Sequence, residues 1–234
     1  MPFHEELQRQ TVADREWLLA APVIGDALAG RVSLARYVAF LTQAYHHVRH
    51  TVPLLMACGS RLPARHEVLR RAIIEYVVEE AGHEEWILDD IVACGGDRDL
   101  ARRSAPGLDA ELMVAHAYDW IARSNPVGFF GMVHVLEGTS VTIATAAADS
   151  LSRSLGLPAS AFTYLSSHGS LDQEHVRMFG LLMDGLDDPE DQAAVVHVAR
   201  VMYRLYGNLF RSLTVAPAVP QSRPPAGAPP VLHA

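Results

Sequence analysis

Apolar residues recur at spacings of three and four along nearly the whole chain, and no convincing run alternates with period two. That pattern commits the chain to helices, because a strand with one buried face needs strict alternation. Breakers divide the pattern into about seven helices. The first covers residues 4–20. The second starts at Ser33, a good N-cap, and runs to about Cys58. The third follows Pro63 and stops at Gly95 and Gly96. The fourth runs from near Asp109 to just before Pro126, the fifth from Pro126 to Leu155, the sixth from Pro158 to Gly185 and the seventh from Pro189 to Leu213. A chain of 234 residues, half of them hydrophobic, buries a large core without staples. The expectation is an all-α helical bundle in one domain, residues 1–213. From 214 to 234 the periodicity stops, and Pro217, Pro220, Pro224, Pro225, Pro229 and Pro230 mark a disordered or extended tail.

Charge narrows the partners. Nineteen basic residues face 27 acids, the formal net charge is −8, and no basic run occurs, so nucleic acid and acidic membrane surfaces are poor partners. No unbroken apolar run reaches roughly eighteen residues and no signal peptide is legible, so a cytoplasmic protein with no membrane span is expected. Two cysteines, Cys58 and Cys94, make neither a disulfide framework nor a thiolate zinc site. Twelve histidines beside the carboxylates are the remaining lead, because those side chains hold non-haem metals.

Several of them interrupt core-facing stripes. On the third helix, Leu69, Ile73, Tyr76, Glu80, His83 and Ile87 step by 4, 3, 4, 3, 4. Glu80 and His83 form a Glu-x-x-His pair, a spacing that places two ligands on one helix face. Glu79 stands at i, i+4 to His83 and is the alternative carboxylate. On the fifth helix, Phe130, His134, Glu137, Val141 and Ala144 form the stripe, and Glu137 is the one acid between Asp119 and Asp149. A lone carboxylate among apolar neighbours needs a partner. His134 reads as a supporting or a satisfied core histidine. On the sixth helix His168, Asp172 and His175 step by 4 and 3, and Phe179 and Leu182 continue their line. Polar groups on a core stripe are costly unless something satisfies them, and a cation does so directly. His46, His47 and His50 on the second helix are further candidates, beside Tyr45. Three carboxylates and three imidazoles on three helices suit two iron or manganese ions bridged by carboxylates.

These blocks resemble the haem-oxygenase-like di-iron oxidases, whose superfamily includes the TenA-like thiaminases and the PqqC-like quinone-forming oxidases. The resemblance covers about residues 10–213. It rests on Glu-Glu-Ala-Gly-His with Trp86 nearby, on the lone Glu137, and on His168-x-x-x-Asp172-x-x-His175. It implies a haem-oxygenase-like, TenA-like helical fold. It also implies two irons held by Glu80, His83, Glu137, His168, Asp172 and His175, with Glu137 bridging and O2 as co-substrate. Some members carry a glutamate ligand on the second helix; here the nearest candidates are His46 and His47. Tyr76 and His134 stand as supporting groups, and Tyr45, Tyr118, Phe129 and Phe130 as pocket walls. The implied activity is O2-dependent oxidation of a small organic substrate, with N-oxygenation of a small amine or an oxidative cleavage in a biosynthetic pathway as the leading forms. The implied partners are that substrate, an external electron donor and a second copy of the chain in a homodimer. A metal-independent enzyme of the same fold and a haem-binding oxygenase are the alternatives. No cysteine stands where a TenA-like nucleophile would be expected.

Overall fold

The computed structural model describes residues 1–213, apart from the side chains of residues 168–176. The proline-rich tail therefore lies outside the described residues. Twelve α-helices are present among the described residues. They are α1 (Phe3–Gln10), α2 (Val12–Leu19), α3 (Pro22–Leu28), α4 (Leu34–Val48), α5 (Thr51–Arg61) and α6 (Glu67–Glu80), followed by α7 (His83–Ala93), α8 (Arg98–Arg103), α9 (Leu108–Arg123), α10 (Phe130–Leu155), α11 (Thr163–Asp184) and α12 (Pro189–Ser212). Three of the expected helices are broken: the first at Thr11, the second at Arg49–His50 and the third at Ala81–Gly82. The apolar stripes run on through these breaks, so periodicity alone does not reveal them.

Helix starts follow local chemistry. Ser33 Oγ accepts from the Arg36 amide at 3.3 Å, and Asp97 and Asp188 cap α8 and α12 in the same manner. Pro22 and Pro189 occupy first-turn positions, where no amide proton is needed. The start of α11 is held differently. Asp90 of α7, fully buried, accepts from the Thr163 and Tyr164 amides, both at 2.9 Å. Burial pushes its carboxyl pKa up, and the two amide bonds oppose that shift.

Helix α10 is the centre of the bundle, covered by α11, α12 and α3. Segment Pro126–Leu155 is long and apolar enough, by length and composition, to cross a membrane. Coverage on several sides gives a core helix the same composition. Gly131 permits the closest approach: a Cβ there would come within 2.6 Å of the Ala199 amide nitrogen and closer still to the Val195 carbonyl oxygen. Elsewhere α4 packs on α7 and α9, and α5 pairs with α6. The C-terminal ends of α4 and α6 line one cavity with the first half of α10, where the candidate site lies.

Candidate metal site

The break between α6 and α7 shapes the site. Ala81 turns extended with ψ 115°, and Gly82 takes φ +96°, a left-handed conformation that glycine adopts without steric cost. The expectation of Glu80 and His83 on one face of a continuous helix is thereby corrected. Glu80 is the last residue of α6 and His83 the first of α7. A three-residue spacing does not distinguish a helical turn from a glycine bend. The side chains still meet, with His83 Nδ1 3.0 Å from Glu80 Oε2. An ionised carboxylate only accepts, so Nδ1 donates. In a neutral ring the lone pair then sits on Nε2, as a metal ligand requires. His83 is buried and stacks on Trp86 at 4.0 Å. Glu79 is exposed, whereas the Glu80 side chain is only 11% exposed, which distinguishes the two neighbouring candidates.

Glu137 approaches from α10. The Tyr76 hydroxyl donates to Glu137 Oε2 at 3.4 Å. Burial first, and the Glu137 charge second, hold this phenol above its usual pKa, so it remains a donor. Glu80, Glu137, Tyr76 and His47 line one cavity, walled further by Phe129, Met132 and other apolar groups. His47 is buried and meets Tyr206 edge-on at 5.7 Å.

The other candidates, His46 on α4, His50 between α4 and α5 and Tyr118 on α9, diverge from this cavity. His46 Nε2 lies 2.9 Å from Ser104 Oγ, and His50 Nδ1 lies 3.2 Å from the Tyr118 hydroxyl. Burial pushes both histidine pKa values down, with Arg49 adding to the effect. Tyr45 packs edge-on against His46, and Phe130 is fully buried at the start of α10. Phe129, not Phe130, reaches the cavity wall. His134 lies on another side of Glu137, where both line a second cavity. It stacks on Phe179, and its Nε2 is 3.5 Å from the Tyr203 hydroxyl. Burial, with His4 and Arg15 adding to it, pushes its pKa down to about 3, so the ring is neutral. His168, Asp172 and His175 lie outside the described side chains. The helix that carries them, α11, runs against α10 and α7.

Among the described residues, no three His, Cys, Asp or Glu side chains converge on one point. Two carboxylates and one imidazole nevertheless line a single cavity, and a second imidazole is bonded to one of those carboxylates. Oxygen and nitrogen donors without thiolate are the set that non-haem iron takes, and in this respect the residues fit the metal. Both cysteines are buried, and burial pushes Cys58 up to about 12 and Cys94 up to about 11, so neither supplies a thiolate.

A family model described as iron-containing redox enzyme matches residues 38–207. The chain belongs to that family. No curated protein matches it significantly in sequence. Among solved structures it is similar to a domain of unknown function with a heme oxygenase-like fold from Shewanella denitrificans, with TM-score 0.79 and 23% identity over 91% of this chain and 92% of that one. It is similar to a TenA homologue from Pseudomonas syringae, with TM-score 0.77 and 8% identity over 89% and 91% of the two chains. It is also similar to heme oxygenase-1 from Synechocystis, solved with heme, with TM-score 0.71 and 9% identity over 91% and 92%. The fold is thus the all-α, haem-oxygenase-like and TenA-like bundle. Iron-dependent redox chemistry is the family's description. Three wall residues, Ser140, Tyr164 and Tyr206, escape a reading by ligand type. Glu137 and Ser140 stand three apart on α10, which is the one sequence signal for them.

Proposed function

We propose that the protein is a non-haem di-iron oxygenase or oxidase that uses O2 to oxidise a small organic substrate. The observation carrying this reading is the shared cavity of Glu80, Glu137 and His47, with His83 bonded to Glu80, in a chain of the iron-containing redox family. Glu80, His83 and Glu137 would hold the metal together with His168, Asp172 and His175 of α11, and His47 is the further candidate. Bound iron would supply O2 activation and the oxidising equivalents.

The chain's own groups have separable roles. Glu80 fixes the orientation and tautomer of His83 through the 3.0 Å bond. Tyr76 holds one Glu137 oxygen by donation from its hydroxyl. The apolar walls at Leu54, Phe129 and Met132 limit water around the carboxylates. His134, a neutral ring, lines a second cavity with Glu137 and adds no charge there. An external electron donor and a homodimeric assembly belong to the same proposal.

Anaerobic titration with Fe(II) tests it, followed by mixing with O2 and watching the visible spectrum. The expected result is close to two irons per chain and a transient absorption. Iron uptake that is unchanged after Glu80→Ala together with Glu137→Ala, or full O2 reactivity after His168→Ala together with His175→Ala, would sink the reading. A Soret band on adding haem, with no Fe(II) uptake, would favour the haem-binding alternative.

A further inference from the structure

The cavity that His134 shares with Glu137 is polar, and most of its lining has no part in the oxygenase reading. One wall is α10, and α1, α2, α11 and α12 close round it. Gln8 and Thr142 are exposed and mark its mouth, whereas His134 and Tyr203 are buried and mark its inner end. Arg15 of α2, half-buried, is the sole guanidinium in the described lining.

Arg15 stands apart from the arginines around it. Arg9 pairs with Glu6, and Arg200 and Arg204 pair with Asp14. Among the described residues, the Arg15 guanidinium has no carboxylate within ion-pair distance and no hydrogen-bond acceptor. A guanidinium stays charged and presents five N–H donors, so withdrawing one from water without an acceptor is costly. Its field reaches the inner end of the cavity. Burial pushes the Tyr203 phenol up to about 12, and Arg15 opposes that shift, so the hydroxyl remains a donor. Gln8 Nε2 adds an amide donor, 3.4 Å from His4 Nε2. The Thr142 hydroxyl is already committed to the Gly138 carbonyl at 2.7 Å.

Gly138 is a second, independent sign of a ligand. It lies inside α10 and lines the cavity, its φ is not positive, and a Cβ there would meet nothing within 4 Å. Glycine is a poor helix former, and here neither the backbone nor a neighbour requires it. Its effect is to keep the cavity open. Glu137 is the one acid in the described lining, and it lies beyond ion-pair distance of Arg15. A gap between the two charges favours a small ligand with its negative group at the Arg15 end.

We propose that this cavity binds a small oxyanion, a carboxylate or phosphate group, on the guanidinium of Arg15, with Gln8 and the Tyr203 hydroxyl as further donors. The assignment does not rest on the oxygenase reading, because none of these three is a candidate metal ligand.

Isothermal titration calorimetry at low ionic strength tests it, on the full-length chain both iron-loaded and chelator-treated. The probes are acetate, inorganic phosphate and, as a neutral counterpart, acetamide. The expected result is saturable anion binding in both forms of the protein and none of acetamide. The tighter of the two anions identifies the ligand as an organic acid or a phosphate. Arg15→Gln should weaken that binding roughly tenfold or more, the worth of a charge-assisted hydrogen bond. Arg9→Gln, which removes an equal charge outside the cavity, should leave it unchanged. Where Arg15→Gln fails to fold by circular dichroism, Arg15→Lys keeps the charge, loses the planar fork and should still weaken binding. No saturable anion binding, equal affinity for acetamide, or affinity unmoved by both Arg15 variants would overturn the proposal. Binding confined to iron-loaded protein would place the anion on the metal and overturn it too. Arg15-dependent binding in protein that takes up no iron would leave this site standing and remove the di-iron reading instead.

Discussion

Replacing Gly82 by Ala probes the bend that separates Glu80 from His83. Gly82 has φ +96°, and a Cβ built there meets nothing within 4 Å. The substitution therefore adds no clash, and its cost is conformational. An L-residue in the left-handed region loses roughly 1–2 kcal/mol. Restricting the unfolded chain returns about 0.4–1 kcal/mol of that. The net expectation is a destabilisation of up to about 1.6 kcal/mol, centred near ~0.8 kcal/mol. Gly25, on an exposed stretch of α3, is the internal control, because it too has open space around its Cβ but no positive φ. Gly25→Ala should stabilise by roughly 0.5–1 kcal/mol. Urea denaturation reads both, as opposite shifts in midpoint at constant slope. Gly82→Asn should fall between, since asparagine tolerates the left-handed region. Fe(II) retention should drop in Gly82→Ala and remain in Gly25→Ala, because the bend sets the relation of Glu80 to His83. Equal midpoint shifts in the two alanine variants would refute the claim that backbone conformation shapes this part of the site.

Two further predictions concern buried titratable groups. Asp90→Ala removes the acceptor of two amides at the start of α11 and should cost about 2–4 kcal/mol by denaturation; a loss below about 1 kcal/mol would show that the amides find other partners. His134 has its pKa pushed down to about 3, so the unfolded chain binds its proton first as pH falls. Its stabilising contribution is complete above the unfolded value near 6.5 and is lost between there and about 3, at up to ~1.4 kcal/mol per pH unit. His134→Phe should flatten the decline of stability across that window, and an unchanged pH profile would contradict the burial of a neutral ring.

Much of the site was visible in residue order because metal-competent groups on an apolar stripe are costly and therefore conspicuous. Tyr76, Glu80 and Glu137 stand out this way, and the structure sets Tyr76 against Glu137 and all three around one cavity. The histidines at the end of α4 and the start of α5 are less legible. His46, His47 and His50 are equivalent by residue type, and only the packing of α4 and α5 against their neighbours sends His46 to Ser104, His50 to Tyr118 and His47 to the cavity. Nothing in residue order sets Asp90 apart from the other acids of α7, because its partners lie 73 and 74 residues away.

Residue order alone establishes that the chain is helical, where its four longest helices, α9 to α12, begin and end, and which side of each is apolar. These are local properties, set by side-chain periodicity, caps and breakers within a few residues. Tertiary structure decided the rest. It split the third helix at Gly82, chose Glu80 over Glu79 as the inward carboxylate, and set Glu137 between two cavities. A stripe states that a face will be covered. Which face covers it depends on the packing of all the others, because the gain from burial has no direction of its own.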